Sequence, residues 1–283
     1  MSRIFEALRK SEREVEKHLT SPHPLRKPLD EVPALQSVAI ERVEIPREAR
    51  VIVHSDPASL GADRFRLLRA RLAELTGKLK LKTLLVTSPV PEDGKSTVSL
   101  NLATALAEHG RRSVLLLEAD LFRPSLSRIL GISPGAGLAE CLQSDSDPIA
   151  ALRRIEPLGW YFLPAGKAVS SPTELVHSTR FSPLITMFES RFDWILVDSP
   201  PLAPVADILA LRAQADGCVL VVRAGQTQRE LVEEAVRQLG RQFVLAIVLN
   251  GVEGLDRQHS KYYGKYYGGV SRDGSGPRKT AGS

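Results

Sequence analysis

Residues 83–97 read TLLVTSPVPEDGKST: an apolar run from Thr83 to Thr87, then a polar loop from Ser88 that ends in Gly94-Lys95-Ser96-Thr97. The amphipathic stretch Val98 to His109 follows. A strand, a loop and a helix in that order is the context in which Gly-Lys-Ser-Thr reads as a phosphate-binding loop. Asp93 to Thr97 are then the nucleotide-binding set. Gly94 lets the backbone approach a phosphate, Lys95 reaches the β- and γ-phosphates, and Ser96 is a Mg²⁺ ligand. The start of the following helix offers amides and the positive end of its dipole to an anion. The position five residues before Gly94, a Gly in the usual loop, is Pro89. Gly94 to Thr97 alone read equally well as a polar loop capping a helix, so the rest of the chain has to decide.

Two further apolar runs deliver acids. Ser113 to Leu117 is bounded by polar residues, as a strand buried on both faces reads, and it ends in Glu118-Ala119-Asp120 followed by Leu121-Phe122-Arg123-Pro124. Alternate residues of a strand end point the same way, toward the edge where open parallel sheets bind ligands. The plainer reading of Asp120 is a cap on the next helix. Trp194-Ile195-Leu196-Val197 carries a single Asp198 before Ser199-Pro200-Pro201, the arrangement that holds Mg²⁺ opposite a phosphate loop. Such a strand is common, and its weight comes from order: the loop lysine, then a strand with two carboxylates, then a strand with one. Trp160 to Leu163, Gly217 to Val222 and Phe243 to Leu249 read as further strands, and Glu230 to Leu239 as a helix. The pattern predicts an α/β fold, a doubly wound, mostly parallel sheet flanked by helices, over residues 56–255. Asn250, closing the last strand, is a candidate adenine contact by analogy with related folds, or an Asn closing a turn.

The flanks differ in composition. In residues 1–55, Ile4, Leu8, Val15 and Leu19 recur at helical multiples, and Pro22, Pro24, Pro28, Pro33 and Pro46 then interrupt regular structure. This segment reads as an amphipathic helix on a Pro-rich linker, or as a solvated tail. Within ADRFRLLRARLAEL from Ala62, Asp63, Arg66 and Arg69 lie three residues apart on one helix face, where they can pair within the helix, pair across to another subunit, or simply be solvated. Residues 256–283 are expected to be a flexible tail. Four of the chain's five tyrosines, Tyr262, Tyr263, Tyr266 and Tyr267, cluster there between Gly and Lys residues that cannot build a core. A net charge of +5 is too small to demand nucleic acid as a partner. Cys141 and Cys218 are too few for a disulfide framework or metal cluster and are expected as small buried hydrophobes. No signal-type apolar region opens the chain, and no run approaches the roughly 20 apolar residues that cross a bilayer. The expected location is cytoplasmic.

Five marks in order, Asp63-x-x-Arg66-x-x-Arg69, the loop at 88–97, Leu115 to Asp120, Ile195 to Pro201, and the tyrosine tail, resemble the bacterial tyrosine autokinases of capsular and exopolysaccharide assembly. The likeness covers roughly Asp56 to Gly269. It implies ATP and Mg²⁺ as cofactors and phosphorylation of Tyr262, Tyr263, Tyr266 and Tyr267 in a neighbouring subunit's tail. It further implies a ring of subunits that uses Asp63, Arg66 and Arg69, and a membrane-bound chain-length regulator as activator that recruits the chain to the inner face of the membrane. Lys95, Glu118, Asp120 and Asp198 are then the catalytic set, with Ser96, Asp120 and Asp198 around the metal. Glu118 or Asp120 would receive the phenol proton of a tyrosine whose ordinary pKa is near 10. Glu118 stands where the family usually has Asp, Asp63 where it has Glu, and Phe122 where an Arg often follows the acids. Two rival readings are a nucleotide-dependent scaffold that phosphorylates nothing, and a partition-type ATPase. Against the latter, Val90 occupies the position of its extra loop lysine.

Overall fold

The structure, a computed structural model, describes residues 35–252 except 111, 134, 145 and 203–205, together with backbone only at a few helical positions. The amphipathic N-terminal helix and the tyrosine tail expected from the sequence lie outside the described residues. Eight strands form one sheet in the order β1-β4-β5-β3-β6-β2-β7-β8: β1 Ala39–Arg42, β2 Thr83–Thr87, β3 Val114–Glu118, β4 Arg153–Glu156, β5 Trp160–Leu163, β6 Trp194–Asp198, β7 Gly217–Arg223 and β8 Val244–Asn250. Every pairing is parallel except β4 with β5.

The central strands are buried on both faces, as their continuous apolar sequences require. In β2, β3 and β6, Leu84, Val86, Leu116 and Leu196 pack on one side and Leu85, Leu115, Leu117, Ile195 and Val197 on the other. Helices α1 (Leu60–Leu79) and α2 (Lys95–Ala107) cover the first side, through Leu72, Val98, Leu102 and Leu106. The short α3 (Leu126–Ile129) adds Leu126 to this layer. Helices α4 (Phe181–Glu189) and α5 (Arg229–Leu239) cover the second, through Phe181, Leu184, Phe188, Ala235 and Leu239. Cys141 and Cys218 are buried and unpaired, as expected.

The folded unit starts earlier than the sequence indicates. Residues 35–55, read as linker, contribute strand β1 at the sheet edge, and Leu35, Val38, Ala49, Val51 and Val53 are buried in the core layers. Asn101, in the middle of α2, straps this segment down: its amide donates to Arg50 O at 2.8 Å and its carbonyl accepts from Val53 N at 3.1 Å. The prolines exclude long helices here but not a core-packed extended chain. Among the described residues, no helix is long and apolar enough to cross a membrane.

Candidate phosphate and acceptor site

The loop between β2 and α2 is held from several sides. Gly94, with φ of 92°, turns the chain into α2, and Glu92 shares the left-handed conformation with φ of 66°. A Cβ at Gly94 would lie 2.0 Å from Asn250 Nδ2, so the close approach of β8 to the loop needs Gly there. Asn250 donates to Asp93 O at 2.9 Å, and Thr227 Oγ1 donates to Asp93 Oδ1 at 2.6 Å. Asn250 thus grips the loop backbone, a contact the sequence reading did not anticipate.

The opening turn of α2 presents the amides of Lys95, Ser96 and Thr97 with no side chain capping them. Uncapped amides and the helix dipole are suited to an anion. Lys95 Nζ lies 3.4 Å from Asp120 Oδ2. Ser96 Oγ donates to Asp198 Oδ2 at 2.9 Å, and Ser99 Oγ donates to Asp198 Oδ1 at 2.8 Å. Asp198 is completely buried at the end of β6, and that burial pushes its pKa up to about 6 against the opposing pull of Lys95 and the two hydroxyls. A carboxylate paired only with neutral hydroxyls and one lysine has unspent affinity for cationic charge. A serine hydroxyl, a buried carboxylate and a nearby Asp120 make an all-oxygen donor set of the kind Mg²⁺ takes, with phosphate oxygens completing it. The residues present therefore fit Mg²⁺ and a nucleotide triphosphate.

Lys95, Ser96, Asp120 and Asp198 are brought together as the sequence predicted. Glu118 is not part of that group. Its Oε1 accepts from Leu126 N at 2.6 Å and Ser127 N at 3.2 Å, and its Oε2 accepts from Ser127 Oγ at 2.5 Å and Ala165 N at 3.1 Å. Both oxygens are bonded to the first amides of α3 and to the turn after β5, so in this structure Glu118 holds the β3–α3 loop. The extra methylene relative to Asp is what extends the carboxylate to these donors. Asp120 is also the better placed acid, its Oδ1 accepting from Arg123 N at 3.0 Å while Oδ2 faces Lys95.

Sequence reasoning missed Ser99, Ser125 and Glu108. Ser125 Oγ lies 2.7 Å from Ser96 Oγ. Glu108, in the turn that ends α2, takes Arg66 by Nε at 2.9 Å and Nη2 at 2.8 Å on Oε1, and Arg69 by Nη1 at 2.6 Å on Oε2. The Arg66 hydrogen bond is the main reason Glu108 titrates below its ordinary value. Arg66 also meets Asp63 at 3.0 Å, the pairing within the helix that the spacing allowed. The sequence offered pairing within the helix, across to another subunit, or plain solvation; that Glu108, about 40 positions away, joins Arg66 and Arg69 was not legible in it.

A family profile described as ParA, NUBPL iron-transfer P-loop NTPase, matches residues 81–253. The chain is 30% identical over 223 residues to tyrosine-protein kinase YwqD of Bacillus subtilis (strain 168), covering 78% of this chain and 92% of that one. It is 30% identical over 237 residues to the succinoglycan biosynthesis transport protein ExoP of Rhizobium meliloti (strain 1021), covering 78% of this chain but only 30% of that much longer protein. Among solved structures, the BceF tyrosine kinase domain superposes with a TM-score of 0.65 at 28% identity, over 76% of this chain and 92% of that domain.

Proposed function

The chain belongs to the P-loop tyrosine kinases of bacterial capsule and exopolysaccharide biosynthesis, and from that premise we propose that it phosphorylates the tail tyrosines of a neighbouring copy. The observation that carries this reading is the convergence of Lys95 with Asp120, and of Ser96 with Asp198, at the uncapped head of α2. ATP supplies the γ-phosphoryl group, which passes to the tyrosine oxygen as ADP departs, and Mg²⁺ supplies neutralising charge. Lys95 and the loop amides hold the phosphates. Ser96, Asp120 and Asp198 would hold the metal directly or through water. Asp120 receives the phenol proton, and Asn250 keeps the loop in register against β8. Catalysis of this type rests mostly on positioning and charge neutralisation, which is what a loop clamped from both sides provides.

Asp63, Arg66 and Arg69 are proposed to form the subunit contact, with Asp63 the most exposed of the three. The activating partner is proposed to be the cytoplasmic segment of a membrane-bound chain-length regulator. The test is incubation of the purified chain with ATP and Mg²⁺, with and without that segment, and mapping of phosphotyrosine. Label on Tyr262, Tyr263, Tyr266 or Tyr267 that vanishes in Lys95→Met supports the kinase. Nucleotide binding with no label under either condition sinks it in favour of the non-catalytic scaffold.

A further inference from the structure

The loop from Asp120 to Ser125 is fastened at both ends to the phosphate loop, by Asp120 to Lys95 and by Ser125 to Ser96. Inside it, Leu121 N donates to Ala119 O and Arg123 N donates to Asp120 Oδ1, and Glu118 fixes the helix that follows. Leu121 turns into the core while Phe122, next to it, is 56% exposed. Among the described residues, Phe122 is the one aromatic in the set of exposed large apolar side chains, and its ring stacks on no other ring or guanidinium. An exposed Phe on a mobile loop would mean little. One on a loop tied down on each side, two residues from the carboxylate that receives the proton, is held in the open beside the chemistry. Successive Cα atoms are about 3.8 Å apart, so the Phe122 Cα lies within about 7.6 Å of that of Asp120.

We propose that Phe122 is the acceptor platform, on which the ring of an incoming tyrosine from the segment Lys261 to Gly268 of another copy stacks so that its hydroxyl meets Asp120. The proposal rests on the kinase reading and adds the residue that selects a tyrosyl substrate. Aromatic pairs favour offset or edge-to-face packing with centroids roughly 4.5–7 Å apart, and that separation lets one ring rest on Phe122 while its hydroxyl extends toward the acid. The chemistry of the segment is suited to this: its two Tyr-Tyr pairs are set off by Gly and Lys, with no acid among residues 261–269 to oppose an approach to Asp120.

The experiment uses the full chain and a synthetic peptide, KYYGKYYG. Binding of the peptide is measured in the presence of Mg²⁺ and a non-hydrolysable ATP analogue, and transfer is measured with ATP. Phe122→Ala is expected to weaken peptide binding and raise the peptide KM about tenfold, with a smaller change in kcat, as loss of one aromatic pair and its buried area predicts. Phe122→Trp is expected to restore binding, and Phe122→Leu to restore it only in part. Phosphorylation of the peptide by Phe122→Ala with an unchanged KM overturns the platform and leaves the kinase reading intact. Phe122-dependent peptide binding with no transfer by the wild-type chain overturns the kinase reading and leaves the platform standing.

Discussion

Replacing Glu118 by Gln separates two roles that one carboxylate could play. As a general base it would be responsible for a factor of about 10² to 10⁴ in kcat, because that is what a positioned proton acceptor contributes. As the anchor of the β3–α3 loop it accepts four hydrogen bonds, from Leu126 N, Ser127 N, Ser127 Oγ and Ala165 N. A Gln in the same rotamer keeps its carbonyl on the two α3 amides and can donate to Ser127 Oγ. Its NH₂ then faces the amide of Ala165, leaving a buried donor without a partner. Such a loss costs about 1–3 kcal/mol. Glu118→Gln is therefore expected to lower the unfolding free energy by about that amount while kcat for tail phosphorylation falls less than tenfold. Urea unfolding gives the first number, and initial rates of phosphotyrosine formation well below the melting range give the second. A loss of 10² or more in kcat with no change in unfolding would refute the assignment and return Glu118 to the chemistry.

Three further outcomes follow from the same geometry. Asp198, whose pKa is raised to about 6 by burial, binds its proton more tightly folded than unfolded, so metal-free wild type loses stability as pH rises from about 4 to 6. Asp198→Asn lacks that loss, and unfolding in EDTA without nucleotide should find it more stable than wild type by about 3 kcal/mol at pH 7 and nearly equal at pH 4; a less stable Asn variant at pH 7 would contradict this. Glu108→Gln leaves Arg69 without its anion and Arg66 with Asp63 alone, and should cost about 1–2 kcal/mol, between the values for exposed and buried ion pairs. Because Glu108 titrates below its ordinary value, that cost is present above the unfolded pKa and shrinks as pH falls through the folded one, which parallel unfolding curves at pH 7 and pH 3 check. Gly94→Ala places a Cβ against Asn250 in a left-handed conformation and should abolish nucleotide binding, measured by calorimetry, with Asn250→Ala milder than Gly94→Ala.

The parts legible in the sequence share a cause. The middles of β2, β3, β6 and β7 are apolar because both faces are covered, β2 runs into the phosphate loop, and β3 and β6 end in Glu118 and Asp198. That made the sheet and the group Lys95, Ser96, Asp120 and Asp198 readable from order and spacing. β4 was not readable: Arg153-Arg154-Ile155-Glu156 carries three charges in four residues and becomes a strand only because β5 pairs with it antiparallel and β1 covers its other edge. β1 itself lies in a Pro-rich stretch, and its place depends on pairing with β4, more than a hundred residues away. The role of Glu118 was hidden for the same reason. Position on the strand end aims it at the ligand edge, but the amide of Ala165, 47 residues on, takes up part of the carboxylate.

The helix α2 shows why so much of the site hangs on one element. Its thirteen residues, about 20 Å of helix, are almost all buried, yet Ser96, Ser99, Asn101 and Thr104 interrupt the apolar sequence. Buried polar side chains without partners would be costly, and each of these has one on a different element. Ser96 and Ser99 hold Asp198 of β6, Asn101 holds residues 50 and 53, and Thr104 accepts from Trp160 Nε1 of β5 at 3.1 Å. Beyond its last turn, Glu108 ties it to Arg66 and Arg69 of α1. Sliding α2 along its axis or rotating it by one residue would break all of these together, so the height of Lys95 and Ser96 above the ends of β3 and β6 is fixed by the whole length of the helix. A reaction that depends on positioning phosphate against Asp120 and Asp198 needs that constraint, and the polar residues in the middle of the core helix are what supply it.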